Sequence, residues 1–479
     1  MSKEYEIVIG LEVHVELATK TKIFCGCTTE FGGEPNTHCC PVCSGMPGTL
    51  PTLNKKVVEF AAAVGLALGC DITRKCKFDR KNYFYPDLPK AYQISQLYLP
   101  ICRNGGVTIE TKDGGEKFIR LHEIHMEEDA GKLIHDEWTG QSLIDFNRCG
   151  VPLIEIVSEP DMRSADEVIS YLTNLKSTIE YLGVSDCKMQ EGSMRADVNL
   201  SVREAGAEEF GTRTEMKNLN SFKAIARAIE AEAARQIDLI EDGGTVRQET
   251  RRWDDAKGAS YAMRSKEDAQ DYRYFPEPDL PPIEISEEFL AEIKSREPEM
   301  RAEKKARYID DYALPEYDAD ILTGTKALAD MFEGAVALGC KPKEVSNWLM
   351  VDTLRLMKED SVDASDLKFT AEQLAALIGL LDAGKINRPT SREVFEAMFR
   401  ESVDPAAYVE EKGLIMEQDD DALRAVIEQV IADNPKSVAD YKGGKKKAIG
   451  ALVGQTMKAM KGKADPGTVN RMLAELLDE

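Results

Sequence analysis

The sequence predicts an α+β protein in which a long strand-rich part with an antiparallel sheet is followed by two helical parts. Its 479 residues exceed the size of one compact domain, so two or three domains are expected. Short alternating segments fill the chain up to the proline-rich stretch 276–282, and helical spacing of alanine, glutamate, lysine and leucine follows it. We therefore predict a mixed domain over 1–290, an all-helical domain over 291–405 and a small helical tail over 406–479.

Local patterns place individual strands and helices. Strict alternation of apolar and polar residues predicts strands over 7–17 and 196–203. A helix is predicted over 54–68, where an apolar stripe stops at a glycine, and another is predicted after Ser221. The all-helical part contains one apolar stripe made of Leu328, Phe332, Ala335 and Leu338.

The composition excludes several classes of protein. The chain has no apolar run of about eighteen residues and does not open on a charged segment followed by an apolar one, so we expect neither a membrane span nor a signal peptide. The net charge of −24 argues against nucleic-acid binding unless a separate basic patch exists. Eleven cysteines, five of them clustered between Cys25 and Cys43, indicate a reducing, cytoplasmic compartment and a metal site.

The predicted strand over 7–17 has a polar face with metal-binding chemistry. Glu12, His14 and Glu16 point to one side because side chains alternate along a strand. Two carboxylates beside an imidazole can bind a hard divalent cation. For this strand alone, an ordinary solvated face is the simpler interpretation.

Two further segments, 121–129 and 194–203, have similar polar faces. The first contains two histidines and ends in three consecutive acids, which repel one another unless a cation neutralises them: Glu127, Glu128 and Asp129. In the second, Asp197 lies opposite the apolar face. If these strands share a sheet, their polar faces form one carboxylate surface that suits Mg-ATP. The chain has neither a P-loop nor a GxGxxG after a strand, so nucleotide binding depends on this surface.

Two basic residues are candidates for stabilising the charge of a transferring phosphoryl group. Lys81 lies in a charged and aromatic stretch over 78–87, and Arg148 lies in a predicted loop. A surface ion pair is the alternative for each of them.

The cysteine cluster predicts a structural zinc site. Cys25 and Cys27 form one short pair, and Cys40 and Cys43 form a second pair with the usual Cys-x-x-Cys spacing. The spacing does not decide whether Cys40 or Cys39 is the zinc ligand at this position. A redox dithiol is less favoured because no thioredoxin-like βαβ pattern surrounds the cluster.

The tail contains a basic run over 442–464 that reverses the charge of the rest of the chain. It has no acid within it and contains seven lysines: Lys442, Lys445, Lys446, Lys447, Lys458, Lys461 and Lys463. Ile449, Leu452, Val453 and Met457 form an apolar stripe beneath it. A phosphate-binding surface and a solvated lysine-rich face are both consistent with this run.

Together these segments resemble the B subunits of aspartyl/glutamyl-tRNA(Asn/Gln) amidotransferases. The matching stretches run in order along the whole chain and are IGLEVHVE (9–16), 78–87, HMEEDAGK (125–132), PLIEIVSEP (152–160), DYRYFPEPD (271–279) and GALVGQ (450–455). The resemblance implies a cradle domain of the glutamine-synthetase type, then a helical domain and a tRNA-binding tail. It implies that ATP phosphorylates the side chain of Glu on tRNA(Gln) or Asp on tRNA(Asn), and that ammonia then displaces the phosphate. The ammonia would come from glutamine hydrolysed by a separate amidase, the A subunit, with a small C subunit joining the two.

The resemblance also implies roles for particular residues. Glu12, His14 and Glu128 would hold Mg²⁺, with Glu127 close by. Lys81, Arg148 and Asp197 would line the nucleotide or acyl-phosphate site, and the lysines of the tail, Lys442, Lys445, Lys446, Lys447 and Lys458, would bind tRNA. Since some members lack the cysteines, the four present here imply the zinc-bearing form.

Two other functions are considered. A non-catalytic tRNA-binding scaffold is disfavoured because an RNA scaffold should not display faces of carboxylates. A ligase acting on a small free acid is disfavoured by the basic tail, which favours a large polyanionic substrate.

Overall fold

The chain forms two compact units, 1–301 and 302–479. The structure, a computed structural model, describes residues 4–136, 138–265, 272–416, 420–460 and 464–478. Three residues singled out from the sequence, Asp271, Lys461 and Lys463, lie outside these ranges. Each helix in the described ranges is too short or too polar to span a bilayer.

Among its described residues, the first unit contains many strands and four helices. The strands are β1 (Tyr5–Glu16), β2 (Asp71–Ile72), β3 (Lys75–Cys76), β4 (Asp79–Asn82), β5 (Tyr92–Ser95), β6 (Cys102–Arg103), β7 (Gly106–Glu110), β8 (Glu116–Glu128), β9 (Lys132–Asp136), β10 (Gln141–Asp145), β11 (Pro152–Ser158), β12 (Met194–Glu204), β13 (Thr214–Lys217), β14 (Glu249–Asp254), β15 (Ala259–Ser265), β16 (Phe275–Pro276) and β17 (Ile283–Glu284). The helices are α1 (Lys55–Ala67), α2 (Ala165–Leu182), α3 (Phe222–Glu241) and α4 (Glu287–Ser295).

One large sheet organises this unit. Its strand order is β15-β14-β13-β12-β1-β11-β8-β6-β2, with β7 added beside β8. All neighbours are antiparallel except β13 and β14, which are parallel. Smaller sheets pair β9 with β10, β17 with β3, and β4 with both β5 and β16. The long strand β1 therefore lies at the centre, between β11 and β12.

Helices cover one face of the large sheet and leave the other face polar. Alternate residues of β1, among them Leu11 and Val13, are fully buried in a core shared with α1, α2 and α3. Both predicted helices begin at a side-chain cap. Asn54 accepts the backbone N–H of Lys56, and Ser221 accepts the N–H of Ala224. The strands predicted over 7–17 and 196–203 are confirmed as β1 and β12.

The second unit is helical throughout its described residues. Its helices are α5 (Arg301–Asp310), which begins at the end of the first unit, α6 (Glu316–Leu322), α7 (Lys326–Ala337), α8 (Pro342–Asn347), α9 (Leu354–Asp360), α10 (Ala371–Asp382), α11 (Arg388–Glu401), α12 (Pro405–Glu411), α13 (Asp420–Asp433), α14 (Pro435–Lys442), α15 (Ile449–Ala459) and α16 (Pro466–Asp478). A π-helical turn, Trp348–Thr353, joins α8 to α9, and short 3₁₀ turns occupy Ala364–Asp366 and Lys446–Ala448.

Apolar side chains of the second unit form two cores. One surrounds Phe332, Trp348 and Phe395, and the other surrounds Leu452 and Leu473. The apolar stripe predicted from the sequence is correct at three positions and wrong at Leu338, which caps the end of α7 and is 55% exposed. The structure confirms the α+β class with an antiparallel sheet followed by helices. The division into three domains stays a prediction.

Candidate active site

The polar face of the large sheet gathers acids and histidines from four adjacent strands. Residues directly opposite each other in neighbouring strands lie on the same face. Glu12 of β1 lies opposite Asp197 of β12, and His14 lies opposite Glu155 of β11. Glu155 in turn lies opposite His125 of β8. The predicted carboxylate surface therefore exists, with β1 at its centre.

The first group on this face is built around His14, Glu127 and Glu155. Ligand atoms of these three residues lie within 4.8 Å of one another. His14 Nε2 is 3.5 Å from Glu155 Oε2 and 3.7 Å from Glu127 Oε1, and His125 Nε2 is 3.0 Å from Glu155 Oε2. The two imidazoles thus lie between the carboxylates and reduce their mutual repulsion.

The pKa values of this group follow from burial and from the partner charges. Burial opposes a charge on His14, but the hydrogen bond and charge of Glu155 outweigh it and raise the histidine pKa. The pKa of the buried His125 is raised well above its ordinary value, because Glu123, Glu127 and Glu155 outweigh burial. Burial also opposes ionisation of Glu155, yet the two histidines hold its pKa well below the ordinary value. The carboxylates of this group therefore favour the protonated form of both histidines, and the histidines favour the ionised form of Glu155.

The second group consists of Glu12, Asp197 and Glu215, whose ligand oxygens also lie within 4.8 Å of one another. Asn199 Nδ2 donates to Glu12 Oε1 at 3.0 Å. Lys217 pairs with Asp197 and, at 2.9 Å, with Glu215. Burial, followed by the charge of Glu155, raises the pKa of Glu12. A set of three carboxylates has the oxygen chemistry that hard cations prefer.

A third group, at one end of β1, joins Glu16 to Asp129 and two arginines. Arg195 Nη2 donates to Asp129 Oδ2 at 2.7 Å, and Arg148 Nε is 3.7 Å from the same oxygen. Burial, with the neighbouring charge of Asp129, raises the pKa of Glu16 to about 8. Burial opposes ionisation of Asp129, but Arg195 and Arg148 lower its pKa to about 2. Burial and the neighbouring charges thus move the pKa values of these two carboxyl groups in opposite directions.

The structure corrects the placement of Glu128. This residue does not join Glu12 and His14, because consecutive residues of a strand point to opposite faces and Glu127 takes the polar one. The buried Glu128 instead pairs with the half-buried Lys90 on the other side of β8 and accepts the backbone N–H of Ile94 at 3.0 Å. Of the two adjacent glutamates, Glu127 is therefore the one whose carboxylate lies beside His14.

Lys81 lies at the border of the site and not among its carboxylates. Its ammonium is 5.0 Å from the ring centre of Tyr272 and 5.9 Å from that of Tyr83. Burial and the nearby charge of Glu127 raise the pKa of both Tyr83 and Tyr274. A group of tyrosines thus separates Lys81 from the acidic face, and the described residues include no ion pair of Lys81.

The cysteines that the sequence paired come together. The Sγ atoms of Cys25, Cys27, Cys40 and Cys43 lie within 4.8 Å of one another, which fits the four-thiolate set that zinc prefers. Cys39 turns away, with its Sγ 3.2 Å from the carbonyl of Asn36. A hydrogen bond from Cys25 lowers the pKa of Cys43 to about 4, and the Nζ of the buried Lys22 is 3.6 Å from Cys43 Sγ. This grouping favours Cys40 over Cys39 as the fourth thiol of the predicted zinc site.

The lysines of the tail are exposed, but some of them have acidic partners. Lys445 lies 3.1 Å from Asp440, and Lys446 lies 3.0 Å from Asp478 with its ammonium over Tyr441. No acid lies within 442–464, but Asp440 and Asp478, from outside the run, offset part of its charge. Lys442, Lys447 and Lys458 are also exposed. The predicted stripe beneath the run contributes to the core around Leu452.

Several residues of the site were not identified from the sequence. They are Glu155, His125, Arg195, Asn199, Glu215 and Lys217. Glu155 carried a recognisable signal, since it is the single charge within the apolar strand β11. Glu215 and Lys217 alternate with buried residues in β13, a strand of only four residues that is too short for a reliable pattern.

Comparisons with known proteins show the family to which the chain belongs. A family described as GatB/GatE catalytic domain matches residues 7–291, and one described as GatB domain matches residues 330–477. A relative from Lachnoclostridium phytofermentans, named as the B subunit of aspartyl/glutamyl-tRNA(Asn/Gln) amidotransferase, is 70% identical over 477 residues and covers 100% of both chains. Relatives of the same name from Lachnospira eligens and Caldicellulosiruptor bescii are 69% and 58% identical, each covering 99% of this chain and 100% of its own. The chain therefore belongs to the GatB/GatE family of amidotransferase subunits.

Proposed function

We propose that this chain catalyses the ATP-dependent amidation of aspartyl- or glutamyl-tRNA. The tRNA-bound carboxylate attacks the γ-phosphorus of ATP, giving an acyl phosphate and ADP, and ammonia then displaces phosphate to give the amide. The observation that carries the proposal is the face on which two carboxylate groups lie beside Lys217 and Arg195, in a chain whose relatives bear the name of this activity.

Activation is chemically necessary, because a carboxylate has no adequate leaving group for attack by ammonia. Phosphorylation supplies that leaving group, but ATP and the substrate carboxylate repel each other. The oxygen-rich groups Glu12–Asp197–Glu215 and His14–Glu127–Glu155 would hold Mg²⁺. When bound there, Mg²⁺ supplies charge neutralisation between the two anions.

The side chains of the site have separate tasks in this reaction. Lys217 and Arg195 place fixed positive charge beside the acids and orient the phosphates. Arg148 lines the acyl-phosphate site from the side of Asp129. Lys81, held by the tyrosines, meets the substrate at the border of the face.

The ammonia would come from a separate protein. The sequence has no Gly-x-Ser-x-Gly elbow, so hydrolysis of glutamine requires an amidase partner, the A subunit, and a small C subunit would join the two. Zinc at the four cysteines would have a structural role, since all four tetrahedral positions are filled by the protein. The exposed lysines of the tail would bind the phosphates of tRNA.

The test is amidation of Glu-tRNA(Gln) and Asp-tRNA(Asn) by the assembled enzyme, with glutamine or free ammonium as donor. We expect ADP to form in proportion to amide, and only when misacylated tRNA and Mg²⁺ are present. ADP formation that does not depend on misacylated tRNA would overturn the proposal. Equal activity with free glutamate would favour a ligase for small acids instead.

A further inference from the structure

The segment that carries the four cysteines also contacts the turn that carries Arg148. Residues 22–43 are here termed the cysteine loop, and residues 146–150 the arginine turn. We propose that the cysteine loop positions Arg148 for the reaction, with Asn147 and Asn36 as the positioning residues. The role of Arg148 itself rests on the proposed function.

Asn147 fastens the arginine turn to the middle of the cysteine loop. Its Nδ2 donates to the carbonyl of Glu34 at 2.7 Å and is 3.4 Å from the carbonyl of Gly33. Its Oδ1 accepts the backbone N–H of His38 at 2.8 Å. Asn147 is half-buried and directly precedes Arg148 in the chain. Its amide therefore fixes the backbone from which Arg148 extends.

Asn36 makes the reciprocal contacts from the cysteine loop. Its Oδ1 accepts the N–H of Phe146 at 2.8 Å, and its Nδ2 donates to the carbonyl of Ile144 at 3.0 Å. Its backbone N–H donates to Asp145 Oδ1 at 3.0 Å. Two amide side chains, one from each segment, thus join the loop and the turn.

The far side of the arginine turn is held by the same loop. The N–H of Ile23 donates to the carbonyl of Gly150 at 3.0 Å, and the N–H of Gly150 donates to the carbonyl of Asp129 at 2.9 Å. Gly150 has a φ of 79°, and a side chain there would begin 3.4 Å from Cys43 Cβ. Contacts to the cysteine loop therefore lie on both sides of Arg148.

The guanidinium of Arg148 needs this support to keep its place. It donates to the carbonyls of Ala130 at 3.0 Å and Gly131 at 2.8 Å, and lies beside Asp129. These contacts hold only the guanidinium of Arg148, whereas the position of its backbone depends on the arginine turn. A displacement of about 1 Å caused by a change away from the reacting atoms can cost about 100-fold in activity.

The test uses Asn147→Ala and Asn36→Gly in the assembled enzyme. Glycine is chosen at position 36 because Asn36 has a φ of 61°, so the side chain is removed without backbone strain. The matched control is Asn174→Ala, which removes an amide that donates to the carbonyl of Thr108 outside both segments. Each protein is assayed with free ammonium, and its zinc content and backbone hydrogen exchange are measured.

We expect both variants to keep their zinc and to exchange the amides of His38 or Phe146 faster. We expect kcat to fall roughly tenfold or more, with KM for misacylated tRNA unchanged. In an Arg148→Lys background the further loss on Asn147→Ala should nearly vanish, because both changes act through one side chain. The control should match the wild type in all respects.

Unchanged kcat despite faster exchange would overturn the positioning role. Loss of zinc in the variants would also overturn it, by showing that the amides serve the metal cluster. If the wild-type enzyme itself fails to amidate tRNA, the proposed function is wrong, and the exchange data still decide whether the cysteine loop holds the arginine turn.

Discussion

The same substitution at two adjacent glutamates of β8, Glu127 and Glu128, should affect different properties of the protein. Substitution of Glu127 should reduce activity, and substitution of Glu128 should reduce thermal stability. Glu127→Gln removes a carboxylate from the polar face, where it lies near Glu155 and His14. Glu128→Gln removes the partner of Lys90, a pair whose side chains are only 5% and 13% exposed. The two changes are equal in size and chemistry, so each is the control for the other.

The magnitudes follow from these surroundings. Breaking a buried ion pair from one side costs about 3 to 5 kcal/mol. A unit of about 300 residues has an unfolding entropy of roughly 0.6 kcal/mol per degree, so Glu128→Gln should lower Tm by about 5 to 8 °C. Glu127→Gln should change stability by less than about 1 kcal/mol, because Glu155 still partners both histidines. Glu127→Gln should reduce the rate of amidation roughly 100-fold, since about 3 kcal/mol of charge stabilisation in the transition state is lost.

Calorimetry of the two variants and amidation driven by free ammonium measure these effects. Free ammonium removes any contribution of glutamine hydrolysis from the rate. An active Glu127→Gln enzyme, together with an inactive Glu128→Gln enzyme of unchanged Tm, would show that the metal-binding carboxylate is Glu128 and that the assignment of faces is wrong.

The cysteines, the tail and a buried glutamate each give a further prediction. Cys40→Ser should release zinc, whereas Cys39→Ser should retain about one zinc per chain by elemental analysis, because only Cys40 lies with the other three thiols. Replacing Lys447 and Lys458 with Met should raise KM for misacylated tRNA more than replacing Lys445 and Lys446 with Met, because Lys445 and Lys446 already have acidic partners. An equal rise in KM for both pairs would contradict this prediction. Burial opposes ionisation of Glu232, but its hydrogen bonds and the charge of Arg235 outweigh burial and lower its pKa from the ordinary value of 4.5. The ionised side chain therefore stabilises the fold at pH values above 4.5, and this stabilisation is lost as the pH falls below 4.5. The loss of unfolding free energy in Glu232→Gln should therefore be largest near neutral pH and shrink in acid, as denaturant titration at several pH values can show.

The sequence predicted the parts of the fold that depend on neighbouring residues. The strands β1 and β12 and the helices α1 and α3 follow from alternation, caps and apolar stripes, all of which act within a few residues. The cysteine site was predictable for the same reason, because its ligands come in close pairs. Only the choice between Cys39 and Cys40 needed the structure.

The composition of the active site depended on strand register, which the sequence did not determine. Glu155 meets His14 only because β11 pairs with β1 in one register, and a shift by one residue would turn it to the apolar face. Glu215 joins Glu12 through two strand pairings, β1 with β12 and β12 with β13. The position of Glu128, apart from Glu12 and His14, has the same origin, because a run of acids shows that carboxylates are near a site but not which one faces it.

The charge of the face explains how a chain of net charge −24 can accept a polyanionic substrate. Each group of acids has its own basic partners: His14 and His125 in the first, Lys217 in the second, and Arg195 with Arg148 in the third. The carboxylates are therefore stable beside one another before a metal arrives, and their positions are fixed by hydrogen bonds and not by the metal. A divalent cation at Glu12, Asp197 and Glu215 would add charge to a set that is already held in place, which is the condition for strong electrostatic stabilisation of a transferring phosphoryl group. Coordination by His14 would in addition require the neutral form of its imidazole. In the proposed function the acids of the face and the lysines of the tail do not conflict, because the acids would act on phosphate only through bound cations while the lysines would contact it directly.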